Sequence, residues 1–458
     1  MDTPNHEKNM TRHDWEYYLS PFTNLQSIEQ DGPMVITKGE GIYVYDQHGK
    51  QYIEGLSGLW CVSLGFSEKR LMEAAQRQIE TLPYYHSFGG KAPDCSLKLA
   101  ERLMQVAPKQ LSRVIFANSG SESNDTAVKI AWYYNNALGR TQKKKIISRF
   151  FGYHGVTIIS GSMTGMSYAQ EGFDLPLPVV LHADCPHHYR YSEQGESEEA
   201  FADRMAANLE KLILSEGPET IAAFIAEPVQ GAGGVIIPPT TYFEKVQAVL
   251  RKYDILMIAD EVICGFARTG QMFGSQTFNI VPDMMTVAKQ LSSGYQPISA
   301  LIISDSIYDA LRDQSQNLGL FGHGFTYSGH PVPAAVALET LRIYEELDIV
   351  SRVGEVSPRL QQGLQEFQHH PLVGHVRGVG LVAAVELIRD KSTKEPFDPS
   401  EKVGAYLVQR AQEHGLIIRA LPGDCVAFCP PLIVSEQEID QIIERFGHAL
   451  QDTAKAFA

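Results

Sequence analysis

The sequence predicts an α/β protein: a large domain around a mostly parallel central sheet, with a smaller α+β domain assembled from both chain ends. Three observations predict it. The middle of the chain alternates short β-rich runs with stretches of helical spacing. Those runs are continuously apolar, as strands covered by helices on both faces are. The two ends of the chain change character, towards hairpin-like alternation and a mixture of strands and helices.

Taken in order, residues 35–56 (VITKGEGIYVYDQHGKQYIEGL) carry hairpin alternation with His48 and Gly49 at the turn. The β-rich runs follow at RVIFAN (113–118), KIISRF (145–150), TIAAFIAEP (220–228), DILMIADE (254–261) and DMMTVAK (283–289). Helical spacing fills DTAVKIAWYYNNAL (125–138) and EEAFADRMAANLEKLIL (198–214). From about residue 341 a helix is followed by VGLVAAVELI, GLIIRAL and CVAFCPP. A final helix then opens on Ser435 and Glu438, a capping-box spacing. At 458 residues, two lobes are expected rather than one core. Residues 1–65 are expected to join the small domain, 66–340 to form the large one, and 341–458 to complete the small one.

Hydrophobic content of 44% and charged content of 20% are those of an ordinary globular protein. A net charge of −15 argues against a nucleic-acid binder, though not against a local pocket for a small anion. Cys61, Cys95, Cys185, Cys264, Cys425 and Cys429 show no C-x-x-C pair or finger spacing, and read as reduced thiols of a cytoplasmic protein, mostly buried. The polar start, MDTPNHEKNMTRHDW, lacks the apolar core of a signal peptide. No stretch approaches the ~20 apolar residues that a membrane-spanning helix needs.

Three consecutive β-rich runs end in a chemically pointed residue: Glu227, Asp260 and Lys289. Ligand crevices of open α/β sheets lie beyond the carboxyl ends of the strands. Any one of these residues alone reads equally well as a solvated strand end; three together point to a site. In ANSGSESNDTAVK (117–129) a strand, a Gly/Ser loop and a helix beginning near Ser123 to Asp125 follow one another. Simple capping needs one such hydroxyl; the run Ser119, Gly120, Ser121, Ser123 exceeds that and suits a phosphate. QGAGGV (230–235) does not continue into G-x-G-x-x-G, and there is no Walker-type loop, H-E-x-x-H or G-x-S-x-G. Adjacent His187 and His188 cannot easily share one face and are expected at the surface or in a loop. No metal site is expected.

A phosphate site, a carboxylate and a buried lysine are the needs of pyridoxal 5′-phosphate: its phosphate is anchored, its aldehyde condenses with the lysine, and an acid pairs with its ring nitrogen. A lysine tied up in that linkage avoids the cost of burying a free ammonium ion.

ADEVICGFARTGQMFGSQ (259–276) followed by PDMMTVAKQLSSGYQP (282–297) resembles the signature of class III, fold-type I aminotransferases, with Asp260 and Lys289 29 residues apart. NSGSESND (118–125), FGYHG (151–155), AEPVQGAGG (226–234) and HGFTYSGHP (323–331) fit the same family, from PFTN (21–24) to CPPLIV (429–434). Within it the chain is most similar to the ω-transaminases. The resemblance implies that Lys289 carries the cofactor and shuttles the proton, and that Asp260 keeps the ring nitrogen protonated. It implies Ser119, Gly120 and Ser121 at the phosphate, Tyr153 and Val262 on the two ring faces, and His154 and Glu227 beside the ring. Thr326 is implied to reach the phosphate of a neighbouring subunit, which makes a homodimer with shared sites; dimer and tetramer both stay open. Phe22, Trp60, Phe88 and Tyr153 are implied at the substrate, with Arg419 pairing the carboxylate of a keto acid. The expected activity moves an amino group from a primary amine, diamine or ω-amino acid to pyruvate. An aminomutase, an epimerase or a 2-oxoglutarate-using ω-amino-acid aminotransferase of the same fold remain alternatives.

Overall fold

The computed structural model describes residues 15–457. Residues 1–14, most of the stretch that argued against a signal peptide, lie outside the described residues. No described helix is long and apolar enough to cross a membrane.

The N-terminal alternation forms an antiparallel meander of β1 (Ile36–Glu40), β2 (Tyr43–Asp46) and β3 (Gln51–Glu54). The expected turn is closed by the Asp46 carboxylate, which accepts from the backbone N–H of His48 and Lys50, both at 2.9 Å. Gly49 supplies the left-handed φ of 79° that this turn requires.

The central sheet has seven strands: β4 (Leu111–Ala117), β5 (Lys145–Arg149), β6 (Val180–Ala183), β7 (Ile221–Ala226), β8 (Leu256–Asp260), β9 (Met284–Val287) and β10 (Ser299–Ser304). Their order is β4-β10-β9-β8-β7-β5-β6, and only β10 runs against the others. The continuous apolar runs are the buried middle strands; every residue of β7, β8, β9 and β10 is buried. The expectation of a mostly parallel sheet holds.

Strands β6 and β10 were not anticipated. The first is a four-residue edge strand with two half-exposed positions, too short to show a period. The second follows a connection, 288–298, too short for the helical crossover a parallel partner needs, so the chain returns antiparallel. That connection carries Lys289, which therefore lies just past β9 rather than on it, opening a 3₁₀ turn, Lys289–Ser292.

The chain ends meet as expected. β11 (Val373–Val379), β12 (Val382–Leu387), β14 (Arg419–Leu421) and β15 (Cys425–Phe428) form an antiparallel sheet in the order β11-β12-β15-β14. Between them β13 (Leu416–Ile417) leaves to pair in parallel with β3, joining N-terminal to C-terminal sequence. The last helix, Glu436–Phe457, opens on the expected box: Ser435 N–H donates to Glu438 Oε2 (2.8 Å), and Glu438 N–H donates to Ser435 Oγ (3.3 Å). All six cysteines are free, and five of them are buried.

Candidate active site

Strands β7, β8 and β9 are adjacent, in the register Ala226↔Ala259 and Asp260↔Thr286. Glu227, Asp260 and Lys289 therefore emerge at one sheet edge, over a cavity of about 420 Å³. Ser119, Gly120, Ser121, Asn124, Tyr153, His154 and Val262 line the same cavity, with Leu59, Cys61, Ile263 and Ile298.

Asp260 is buried, and its carboxylate is used on two sides. Oδ2 accepts from Asn124 Nδ2 and from His154 Nδ1, each at 2.8 Å, and Oδ1 accepts from the Val262 N–H at 3.1 Å. A carboxylate oxygen accepts more than one donor, so Oδ1 keeps capacity for a cationic N–H in the cavity. Asn124 was inside a quoted motif but had no assigned role. Helical spacing from Gly120 places it one turn on, over the same sheet edge.

The helix Gly120–Ala137 starts earlier than the Ser123–Asp125 expected, because Ser119 caps it: Ser119 Oγ accepts from Glu122 N–H at 3.2 Å. Its first-turn N–H groups thus face the cavity, a ready anion site. Ser121 Oγ adds a hydroxyl and accepts from Val156 N–H at 3.2 Å. Gly155, at φ 133°, leaves that hydroxyl room; a Cβ there would collide with Ser121 and Ser160. A Cβ on Gly120 would press on the Val262 methyls at 3.1–3.2 Å, so Val262 lies close against the helix start.

Glu227 acts on the backbone: Oε1 accepts from Tyr153 N–H and Oε2 from Gly231 N–H, both at 2.9 Å. Burial raises its pKa, with His154 working against the rise. Its part is to hold the Tyr153 segment over the cavity. Lys289 has φ 47°, a left-handed conformation that costs a non-glycine residue about 1–2 kcal/mol. Burial lowers its ammonium pKa while the charge of Asp260 opposes this. A lysine biased towards its neutral form is a nucleophile and a base.

The substrate residues divide. Tyr153 lines the cavity. Phe22 is exposed and meets Tyr168 edge-on, ring centroids 6.3 Å apart. Burial raises the Tyr153 and Tyr168 phenols, and the nearby Arg419 guanidinium works against it in both. Trp60 is not itself part of the cavity lining in this chain: it packs with Leu56, Val229, Ile263 and Leu421 in an apolar cluster, of which Ile263 borders the cavity, as do Leu59 and Cys61 on either side of Trp60. Ser57, Gly58 and Trp60 all have positive φ, and the Trp60 side chain is buried. Phe88 and Thr326 are also absent from this chain's cavity. They share one exposed patch, in which Tyr84 Oη donates to the Thr326 carbonyl (2.8 Å) and Ser87 Oγ to the Ser328 carbonyl (3.1 Å).

The expectation for His187 is also corrected. The two histidines do diverge, but protein covers both sides. His187 is buried; His188 Nε2 bonds the Glu196 carbonyl (2.9 Å) and its ring meets Phe201. His187, His375 and Glu386 bring ligand-type atoms within 4.8 Å of one another. However, Arg190 Nε donates to Glu386 Oε1 and Arg377 Nη1 to Oε2. A divalent cation there would sit beside two guanidinium ions, so the group is structural.

Pyridoxal phosphate fits the cavity on three of these observations: the free N–H groups of a capped helix, the spare capacity of Asp260 Oδ1, and a lysine biased towards neutrality. The family model for class-III aminotransferases matches residues 26–450. The chain is 53% identical over 439 residues to γ-aminobutyrate transaminase 1, mitochondrial, of Solanum lycopersicum, covering 95% of this chain and 85% of that protein. Vanillin aminotransferase of Capsicum annuum is 52% identical over 438 residues, 95% of each chain. The solved structure of an ω-transaminase of Pseudomonas jessenii in complex with PMP superposes with a TM-score of 0.97 at 58% identity, over 98% of this chain and 99% of that one. The chain belongs to the class-III aminotransferases, fold-type I enzymes that use pyridoxal phosphate.

Proposed function

We propose that this aminotransferase takes its amino group from a primary amine, diamine or ω-amino acid and gives it to pyruvate, forming alanine, and that it works as a cytoplasmic homodimer. The observation that carries the acceptor is Arg419. Among the described residues no carboxylate holds its guanidinium, and it stands beside Tyr153 and Tyr168 near the cavity. An arginine fork matches a carboxylate in two places at once, which suits a keto acid. The apolar wall of Leu59, Val262, Ile263 and Ile298 suits the body of an uncharged amine.

The bound cofactor supplies the electron sink for the pair left when the substrate loses its Cα proton. Lys289, biased towards its neutral form by burial, would take that proton as general base and later return one. Asp260 Oδ1 keeps a proton on the ring nitrogen, while Asn124 and His154 hold Oδ2 and stop the carboxylate from turning. Tyr153 and Val262 would hold the ring, and Gly120 and Ser121 would hold the phosphate. The exposed patch of Phe88 and Thr326 supports the dimer, since neither residue serves its own cavity and both could complete a partner's.

Enzyme mixed with pyruvate and a panel of amines is expected to make alanine; no alanine with any of them defeats the reading. The relatives named γ-aminobutyrate transaminases favour an ω-amino acid among these donors; the second reading pairs such a donor with 2-oxoglutarate as acceptor. That enzyme would make glutamate instead.

A further inference from the structure

Glu54 is a buried carboxylate with no cationic partner in bonding distance among the described residues, yet it is no general acid, because it does not line the cavity. It ends β3 and turns back on the loop that follows. Oε1 accepts from Leu56 N–H (3.0 Å) and Oε2 accepts from Gly58 N–H. That loop is strained: Ser57, Gly58 and Trp60 have φ of 53°, 67° and 62°, and two of the three are not glycine. Its outer residues, Leu59 and Cys61, form the cavity wall beside Lys289.

The loop is also tied to the lysine turn. Ser57 Oγ donates to the Cys429 carbonyl (2.6 Å), and the buried Arg268 reaches both Ser57 Oγ (3.5 Å) and Gln290 Oε1 (3.2 Å). Leu64 N–H donates to Ser293 Oγ (2.9 Å). A displacement of 57–61 thus moves one wall of the cavity against a fixed lysine. Burial raises the Glu54 pKa to about 8, which the Leu56 N–H opposes. A buried carboxyl kept without a cation needs a reason, and among the described residues these two backbone donors are the only one bonded to it.

We propose that Glu54 is a positioning residue for substrate selection: by binding the Leu56 and Gly58 amides it holds the left-handed loop whose Leu59 and Cys61 limit the size of the amine beside Lys289. The inference rests on the amine reading above and deepens it, by naming what sets the donor's bulk. Above pH 8, where the carboxyl is ionised, Glu54→Gln keeps the size but replaces one acceptor oxygen by an amide N–H₂ facing a backbone N–H, so a single loop contact is lost.

The test compares Glu54→Gln with the wild-type holoenzyme in the half-reaction with donors alone, followed by the cofactor spectrum, using L-alanine as small donor and 1-phenylethylamine as large. Borohydride trapping at Lys289 first checks that the variant is loaded. The expected result is a change of about tenfold in the ratio of kcat/KM for large over small donor, the size a misplaced pocket wall produces. L-Alanine turnover should stay within about threefold, which general loosening of the fold would not allow. If Glu54→Gln does not fold, Gly58→Ala reads the same loop from its other partner. A Cβ at that φ is disfavoured but meets its neighbours at ordinary contact distance, Val62 Cγ2 at 3.4 Å, Glu54 Oε2 at 3.7 Å and Cys61 Sγ at 3.9 Å. An unchanged ratio in a loaded variant overturns the proposal. Should the wild-type enzyme accept L-alanine but refuse 1-phenylethylamine, the arylalkylamine part of the donor reading fails by itself, and the Glu54 ratio is taken with 4-aminobutyrate against L-alanine.

Discussion

Two buried histidine–carboxylate groups in this fold, His154 with Asp260 and His187 and His375 with Glu386, have opposite fates. Around Asp260, the histidine and an asparagine share one carboxylate oxygen and leave the other facing a cavity with a lysine in it. Around Glu386, two arginines take both oxygens, and His187 and His375 pack against Tyr189, which stacks on His375 at 4.4 Å. Residue types alone would rank the second group, with two imidazoles, as the better candidate for chemistry. What separates them is unspent capacity: a carboxylate can act on a ligand only where its lone pairs are not already satisfied by the protein.

The sharpest way to break this comparison is to neutralise each carboxylate. Asp260→Asn should keep much of its cofactor and lose about 10³ in rate, near the middle of the range for acid–base groups. Glu386→Gln should keep its specific activity but lose about 3 kcal/mol of stability, since two guanidiniums lose a buried partner. Turnover and urea midpoints of both variants decide it: near-normal turnover in Asp260→Asn would mean the electron sink is misassigned.

Arg419 tests the same idea outside the core, as a charged group left without a partner. Arg419→Ala is expected to reduce kcat/KM for pyruvate about 30-fold, the value of a lost charge-assisted bond, and for an arylalkylamine by less than about threefold. Equal losses on both would refute the dual use of the pocket.

Much of this was legible in the sequence, for definite reasons. Continuous apolar runs marked β7, β8 and β9 because a doubly covered strand has no polar face, and the residue after each run had to fall at the ligand edge. Ser435 and Glu438 marked a helix start because capping is local. Other features depend on contacts distant in sequence. Nothing in SGLW (57–60) shows that three residues take positive φ and Trp60 is buried, or that Glu54 stands under the loop. His187 read as exposed because its partners, Glu386 and His375, are nearly 200 residues away in sequence. Phe88 and Thr326 carry a role only through the family resemblance, and within one chain they face away from the cavity.

Acid should distinguish the structural group more gently. Burial, reinforced by Arg377, pushes His187 down to about 2 and His375 to about 4, from 6.5. Arg190 and Lys394 depress His375 further, and Glu386 alone opposes. Both imidazoles stay neutral in the fold while the unfolded chain takes protons below 6.5. Their contribution to stability is therefore full above pH 6.5 and falls as the pH drops through 4 for His375 and towards 2 for His187. About 3 kcal/mol per histidine is expected to go between pH 6.5 and 4. Urea midpoints against pH should show a shallower slope for His375→Gln than for the wild type; parallel slopes would mean the ring is not held neutral.

The smallest effect sharpens the comparison most. If Glu386 is spent on arginines, metal has no place beside it, and a chelator should leave the melting temperature unchanged to within about 1 °C. Zinc added at 100 times a micromolar affinity would stabilise a real site by about 2.7 kcal/mol. At this chain length that is a rise of several degrees, and the rise should be lost in His187→Gln. A zinc-dependent rise in the wild-type protein that this variant abolishes would show that one arginine can swing off Glu386 to admit a cation, and the line drawn here between satisfied and unsatisfied carboxylates would have to move.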